Sequence, residues 1–151
     1  MNELSATSLS AIMLLAGIGI PVMAALNGGL GVRLGNPVLA ANVLFLVALT
    51  SSLTVLVIQP AQVQNSFSGV SPQYFLGGLL VAFYVLSVTF VGPRLGVGNA
   101  IVLVLLGQLV AAAVIDHFGL SGAPRLPFTL WRFVGVMLMV SGVILARRSV
   151  V

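Results

Sequence analysis

Five long apolar segments alternate with short breaks along this chain. Each segment is close to the roughly 20 residues that an α-helix needs to cross a hydrocarbon core of about 30 Å. The pattern predicts an all-α integral membrane protein, in which residues 1–151 form one transmembrane domain with a five-helix bundle. The predicted helices cover residues of about 8–26, 38–58, 74–91, 95–115 and 127–146.

The breaks between the segments contain residues that end helices and turn the chain, chiefly glycine, proline and asparagine. Within the first segment, Pro21 removes a backbone donor, so we expect a kink there. The predicted breaks are Asn27-Gly28-Gly29, Gly35-Asn36-Pro37, residues 59–72, Gly92-Pro93 and residues 119–127.

Composition strengthens the membrane prediction and excludes several functions. Of the 151 residues, 60% are hydrophobic and 5% are charged, whereas a soluble domain has about a quarter charged residues. The net charge of +4 comes from arginines that are isolated except for Arg147-Arg148, which excludes a nucleic-acid-binding stripe. With no cysteine, one histidine and two carboxylates, we expect no disulfide, metal centre or other cofactor. No catalytic constellation is present, so we do not expect an enzyme.

The arginines also predict an orientation. If the N-terminus lies outside, four arginines lie on the cytoplasmic side and two lie outside, which weakly favours N-outside, C-inside. A bias this shallow leaves dual topology open. In either orientation, Arg33-Leu34-Gly35 and Arg94-Leu95-Gly96 lie on one side of the membrane, because two crossings separate them.

A few polar residues lie within the predicted crossings and are candidates for lining a substrate cavity. An unpaired amide or hydroxyl in lipid is costly, so each either joins two helices or faces a wet cavity, and the sequence leaves both interpretations open. The serines and threonines of the second helix are more readily satisfied by bonds to their own helix. The cavity candidates are Asn27, Asn42, Tyr84, Asn99 and Gln108.

Asp116-His117 lies where the fourth segment is predicted to leave the membrane. This pair is either a simple interfacial boundary, or a gate or proton-accessible group that pairs with Arg132. Small residues mark faces where helices can approach closely, within or between subunits. These are Gly31 and Gly35, Gly77-Gly78, Gly107 with Ala111, and Gly135 with Gly142.

Three stretches together resemble the drug/metabolite transporter superfamily, and specifically its short, single-repeat bacterial members of the YdcZ type. They are Ala25-Leu26-Asn27-Gly28 through Arg33-Leu34-Gly35 with Pro37, Gly107-Gln108-Leu109 to Phe118-Gly119, and Arg132-Phe133-Val134-Gly135 to Ser141-Gly142-Val143. The last stretch is also similar to the dimerising helix of small multidrug resistance proteins.

The resemblance implies one repeat of a transporter in the bacterial cytoplasmic (inner) membrane. Larger members pair two inverted five-helix repeats around a central site, so this chain is expected to form a homodimer, possibly antiparallel, or to pair with a paralogous chain. By the same resemblance, Gly135 and Gly142 would lie at the subunit interface. Small multidrug exporters carry a glutamate in the middle of helix 1, where this chain has Gly17 and Ile18, which puts proton coupling at a membrane carboxylate in doubt.

The leading hypothesis is a small secondary transporter that exports a small molecule by alternating access as a dimer. Asn27, Tyr84 and Gln108 are the residues most expected to line its cavity. Two other functions fit the same sequence: a flippase for a lipid or lipid-linked sugar, and a non-transporting membrane assembly subunit.

Overall fold

The computed structural model describes residues 5–58, 69–127 and 129–148. All regular structure in these ranges is helical. The five α-helices are α1 (Ala6–Arg33), α2 (Pro37–Ile58), α3 (Leu76–Leu95), α4 (Val97–Phe118) and α5 (Leu130–Arg148), with short 3-10 turns at Pro72–Phe75 and Leu120–Gly122.

Helix α1 begins at a serine cap and runs well beyond its predicted end at residue 26. The Ser5 hydroxyl accepts the backbone N–H of Ser8 at 3.2 Å, which satisfies one free amide at the helix start. The predicted break at Asn27-Gly28-Gly29 is wrong, because these residues continue the helix to Arg33. Gly28 lets Pro93 approach closely, whereas Gly29 has no described atom within 4 Å of its β-carbon position. Pro21 lies inside α1, and its kink stays a prediction.

The turn between α1 and α2 falls where the sequence predicts it. Gly35 has a φ of +63°, a left-handed conformation that glycine adopts at little cost. The Asn36 side-chain oxygen then accepts the N–H groups of Val38 and Leu39 at 3.0 and 3.1 Å, which caps α2. The predicted range 38–58 for this helix agrees with the structure to within one residue.

Helix α3 also runs past its predicted end. Gly92-Pro93 was expected to break the chain, but α3 continues to Leu95 and stops at Gly96, whose φ is +85°. Instead, Gly92 is buried and Pro93 packs against Gly28. Most of the predicted loop before this helix, residues 59–68, lies outside the described residues.

Helices α4 and α5 are each displaced by two or three residues from the predicted ranges 95–115 and 127–146. Because α4 extends to Phe118, Asp116 and His117 lie in its last turn and not beyond its end. Gly119, with a φ of +63°, follows the helix, and the backbone N–H of Leu126 donates to the Asp116 carbonyl oxygen at 2.9 Å. This bond fastens the returning loop to α4.

The chain divides into two compact units, Met1–Val97 and Gly98–Val151. In the first unit, α1 packs on both α2 and α3. The tight turn makes α2 antiparallel to α1, and contacts between the C-terminal halves of α1 and α3 make those two helices parallel. The second unit contains nearly all of α4, together with α5 and the loop between them.

Four helices of the described chain are long and apolar enough to cross a membrane: Ala6–Arg33, Pro37–Ile58, Pro72–Leu95 (with its 3-10 start) and Val97–Phe118. A fifth apolar helical stretch, Leu130–Leu145, is shorter. The chain is therefore a multi-pass membrane protein, and the fifth crossing stays a prediction.

Candidate functional site

One end of the first unit, here called the packed end, contains its interhelical contacts. It comprises residues 20–31 of α1, 37–45 of α2 and 82–92 of α3. The buried positions are mostly small, which lets the backbones approach. They are Ala24, Asn27, Gly28, Gly31, Ala40, Ala41, Val85, Val88, Thr89 and Gly92.

A hydrogen bond at the centre of the packed end joins α1 to α3. The Asn27 amide nitrogen donates to the Thr89 hydroxyl oxygen at 2.6 Å, and these residues are only 5% and 3% exposed. The Thr89 hydroxyl in turn donates to the Val85 carbonyl oxygen at 2.7 Å. Asn27 was a cavity candidate, and the structure places it in a helix-joining contact.

Two glycines make this contact possible. A β-carbon at Gly31 would lie 3.3 Å from both the Pro37 Cα and the Thr89 Cγ2, and one at Gly28 would lie 3.3 Å from Pro93 Cγ. Neither position therefore has room for a larger side chain without moving its neighbour. Sequence reasoning singled out Gly31 as a packing residue but missed Thr89, for which no pattern in the chain signals a partner 62 residues away.

The other end of the same unit, here called the open end, comprises residues 6–19 of α1, 46–58 of α2 and 76–81 of α3. Every side chain in these three ranges is exposed. At 1.5 Å per residue the α1 and α2 portions are each about 20 Å long, which is about two thirds of the hydrocarbon core. The helices of this unit thus contact one another at one end and leave the other uncovered.

Tyr84 lies where the packed end gives way to the open end. On α3 it precedes the buried residues Val85, Val88 and Thr89, and it is half-buried itself. Its hydroxyl oxygen is buried and has no hydrogen-bond partner in the part of the chain that the structure describes. An unpaired buried hydroxyl is costly, so this group has an unused capacity to bind a polar atom.

The polar side chains of α2 donate hydrogen bonds to backbone carbonyl oxygens of their own helix. The Asn42 amide nitrogen donates to the Val38 carbonyl oxygen at 3.0 Å, on an exposed side chain. Thr50, Ser51 and Ser52 likewise donate to carbonyl oxygens three or four residues earlier, which confirms the self-satisfied interpretation of these hydroxyls. The structure does not bring Asn42 to Asn27 or Tyr84.

In the second unit, the two α4 candidates differ in their surroundings. Asn99 is half-buried near the start of α4 and makes a polar or ring interaction. Gln108 lies near the middle of α4 and is exposed, and its amide makes no hydrogen bond to the residues described. An amide at this depth in a membrane helix needs a partner, so Gln108 is a second group with unused capacity.

The boundary candidates form an ion pair. The Arg132 guanidinium donates to the Asp116 carboxylate at 2.9 Å, joining α5 to the last turn of α4. Both side chains are partly exposed, so the pair contributes little stability and can break without large cost. The His117 ring stacks edge-on against Phe118 with centroids 4.8 Å apart. Pairing of Asp116 with Arg132 is confirmed, and its role as a gate stays a prediction.

Grooves run along α4 and α5, and small residues on α5 leave space beside it. One apolar groove of about 400 Å³ is lined by residues that include Val110, Val114 and Phe133. A second, of about 280 Å³, reaches from the Asp116–Arg132 pair to Gly135. A β-carbon at Gly135 or Gly142 would meet no described atom within 4 Å, so the part of the chain described here does not cover these glycines.

In the part of the chain that the structure describes, no three histidine, aspartate or glutamate side chains come together. Between Glu3 and Asp116 the sequence has no acidic residue, so Tyr84 and the open end have no carboxylate on their own helices. The surface that these three helices contribute at the open end consists of apolar side chains and hydroxyls.

Residues 8–145 match the family described as "Putative inner membrane exporter, YdcZ", which agrees with the resemblance identified from the residues. No curated protein and no solved structure matches the chain.

Proposed function

We propose, from the premise that this chain belongs to the YdcZ family of inner membrane exporters, that it is one half of a small-molecule exporter that works by alternating access as a dimer. One observation carries the proposal: the first unit is packed at one end and open at the other, and an unpartnered hydroxyl, that of Tyr84, lies at the boundary. A polar group beside an uncovered apolar surface, which a second chain would enclose, is the arrangement expected of a transporter half-site.

The chemistry of the opening suggests the class of substrate. The large side chains there are apolar, such as Leu14, Leu53 and Leu80, and no acidic residue lies on these helices in the described range. We infer a substrate that is mainly apolar with one or a few hydrogen-bonding groups. Tyr84 would bind such a group, and a cation held by a membrane carboxylate is not supported.

The uncovered surfaces support a working unit of two chains. Gln108 lacks a partner among the described residues, and Gly135 and Gly142 have open space beside them. A second copy of the chain in antiparallel orientation, or a paralogous chain, would cover these positions. The inner membrane of a bacterium is the location that the family description implies, and N-outside, C-inside is the orientation that we favour.

A lipid flippase is the second candidate, and the same open end favours it. Exposed leucine and valine side chains along about 20 Å of α1 and α2 would tolerate an acyl chain beside the helices. A flippase and an exporter therefore differ in what enters the opening and not in its architecture.

Flux into proteoliposomes tests the proposal. The purified chain is reconstituted, and uptake of uncharged and weakly polar solutes is measured for the natural chain, Tyr84→Phe and Gln108→Leu. Asn42→Leu is the matched control, because it removes an exposed amide that bonds only to its own helix. The proposal expects flux that falls at least about tenfold in the first two variants, equivalent to about 1.4 kcal/mol, and persists in the control.

A parallel assay follows movement of a labelled lipid between leaflets. Lipid movement that depends on Tyr84 without solute flux would favour the flippase. If folded, reconstituted protein supports neither process, both transport functions are contradicted and the assembly subunit becomes the better hypothesis.

A further inference from the structure

The packed end contains a cleft where α1 turns into α2 and α3 ends. It has a volume of about 320 Å³ and is unrelated to the open end, since it lies at the opposite ends of the same helices. Its lining includes Val32 at the end of α1, Gly35 from the turn and Pro37 at the start of α2. Helix α3 contributes Thr89, Pro93 and Arg94. The described structure gives this cleft no role in the proposed transport.

The charge around this cleft is positive and unbalanced. Arg94 lines it, and Arg33 follows Val32 in the last turn of α1. The ends of α1 and α3 each contribute about half a negative charge, and the start of α2 about half a positive charge. Two guanidinium groups therefore leave about +1.5 in total. No carboxylate lies between Glu3 and Asp116 in the sequence to offset it.

Phe90 holds the Arg94 guanidinium in place and leaves several of its N–H donors available. Its guanidinium donates to the Phe90 carbonyl oxygen and lies over the Phe90 ring, 3.7 Å from the ring centroid. A guanidinium has five N–H donors in a planar fork that matches phosphate, and neither Arg33 nor Arg94 has an ion pair among the described residues. The nearby α2 amides are already used, since Asn36 accepts those of Val38 and Leu39. Arg94, which lines the cleft, therefore provides its anion-binding group, and Arg33 adds positive charge at the adjoining end of α1.

The surroundings of the arginines identify the kind of anion. Arg33 and Arg94 end long apolar helices, which places them near the membrane interface, where lipid phosphates lie. Beside them, Val32 and Phe90 are 66% and 50% exposed, so apolar surface extends from the cationic cleft along the helices. We propose that this cleft binds the phosphate of an anionic lipid headgroup, with the acyl chains along that apolar surface. The proposal does not depend on transport activity.

Thermal unfolding of the purified full-length chain in neutral detergent tests this assignment. Phosphatidylglycerol, phosphatidylcholine and soluble glycerol phosphate are titrated separately, and the rise in melting temperature gives an apparent affinity for each. Arg33→Gln and Arg94→Gln remove one charge each. Arg94→Lys keeps the charge but removes the planar arrangement of N–H donors. Arg125→Gln is the matched control, an exposed arginine in the loop of the second unit.

The expected result is saturable stabilisation by phosphatidylglycerol alone. Arg33→Gln and Arg94→Gln should each weaken the apparent affinity about fivefold, the factor that corresponds to roughly 1 kcal/mol per cation at a membrane surface. Arg94→Lys should lie between these variants and the natural chain, and Arg125→Gln should match the natural chain.

Three results would overturn the proposal. Equal stabilisation by phosphatidylcholine would show that charge is not recognised, and equal weakening by Arg125→Gln would show that the attraction is non-specific. Stabilisation by glycerol phosphate at the concentration that saturates phosphatidylglycerol would assign the cleft to a free phosphate and contradict a lipid occupant.

Discussion

The packed and open ends of the first unit are made from the same three helices but use small residues differently. At the packed end, Gly28 and Gly31 lie against Pro93, Pro37 and Thr89. At the open end, Gly17 and Gly78 have no described atom within 4 Å of a β-carbon position. A small residue in a membrane helix therefore permits close packing. Whether packing occurs within the chain depends on a complementary side chain and a hydrogen bond from a neighbouring helix.

The contacts that stabilise the first unit lie at its packed end, away from the open end to which we assign transport. In lipid, helices associate through packing and interhelical hydrogen bonds, because the hydrocarbon removes the usual hydrophobic driving force. Both contributions are concentrated at the packed end, in the glycine contacts and the Asn27–Thr89 bond. The open end can then move or accept a partner without disrupting the fold.

Gly31→Leu should be the most damaging change at the packed end. Its β-carbon alone would lie 3.3 Å from the α2 backbone at Pro37, so the rest of the side chain would force α1 away from its neighbours. We expect a loss of about 2–3 kcal/mol in the free energy of unfolding, measured by denaturation in mixed micelles. Gly29→Leu is the control, because it lies on the exposed side of the same helix with no described atom within 4 Å. Equal losses in the two variants would contradict the close approach.

Thr89→Val should cost about 1–2 kcal/mol. The substitution preserves shape but leaves the buried Asn27 amide without its acceptor. A double-mutant cycle with Asn27→Leu should give a coupling between about 0.6 kcal/mol, the average for hydrogen bonds between membrane helices, and about 1.7 kcal/mol, the largest measured. Zero coupling would show that the bond does not join α1 to α3.

Tyr84→Phe should raise stability by about 1 kcal/mol while it lowers transport. The hydroxyl is buried without a described partner, so its removal relieves a desolvation cost. Tyr74→Phe, at an exposed position before α3, should change neither property. A loss of stability in Tyr84→Phe would mean that the hydroxyl has a structural partner and is not a free binding group.

Leu80→Ala should have the smallest effect, below about 0.5 kcal/mol. Leu80 is 67% exposed at the open end, so truncation removes few contacts. Val88→Ala, at a packed-end position that is 4% exposed, should cost roughly 2 kcal/mol. The comparison is made in dilute micelles, where a second copy does not cover the open end. Equal costs would show that the open end is packed within a single chain.

The sequence predicted the apolar helices well but not their ends. Hydropathy identified each helix. The Gly35-Asn36-Pro37 turn was recognisable because glycine suits the left-handed backbone at position 35 and asparagine suits the cap of α2. Asn27-Gly28-Gly29 and Gly92-Pro93 have the same residue types but lie inside helices. Local chemistry cannot distinguish a glycine that ends a helix from one that admits Pro93, because that distinction depends on a neighbour 65 residues away.

The candidate site was predicted in part, for a related reason. Tyr84 and Gln108 were selected as polar residues in apolar helices, and both lack a described partner. Asn27 was selected by the same reasoning, but its amide is used by Thr89. A polar residue in a membrane helix signals that a partner is required, whereas only the packing shows whether the chain itself provides one.

Alternating access by a unit whose interhelical contacts lie at one end implies that the open end moves while the packed end stays fixed. Distances between paired spin labels in liposomes test this movement. The chain has no cysteine, so Leu14→Cys with Leu80→Cys labels the open end, and Leu26→Cys with Phe83→Cys labels the packed end. Dilution with unlabelled chain restricts the signal to pairs within one protomer. The account predicts two separations for the open-end pair, with populations that shift when a transported solute is added, and one separation for the packed-end pair. A single separation for the open-end pair that no solute changes would contradict it.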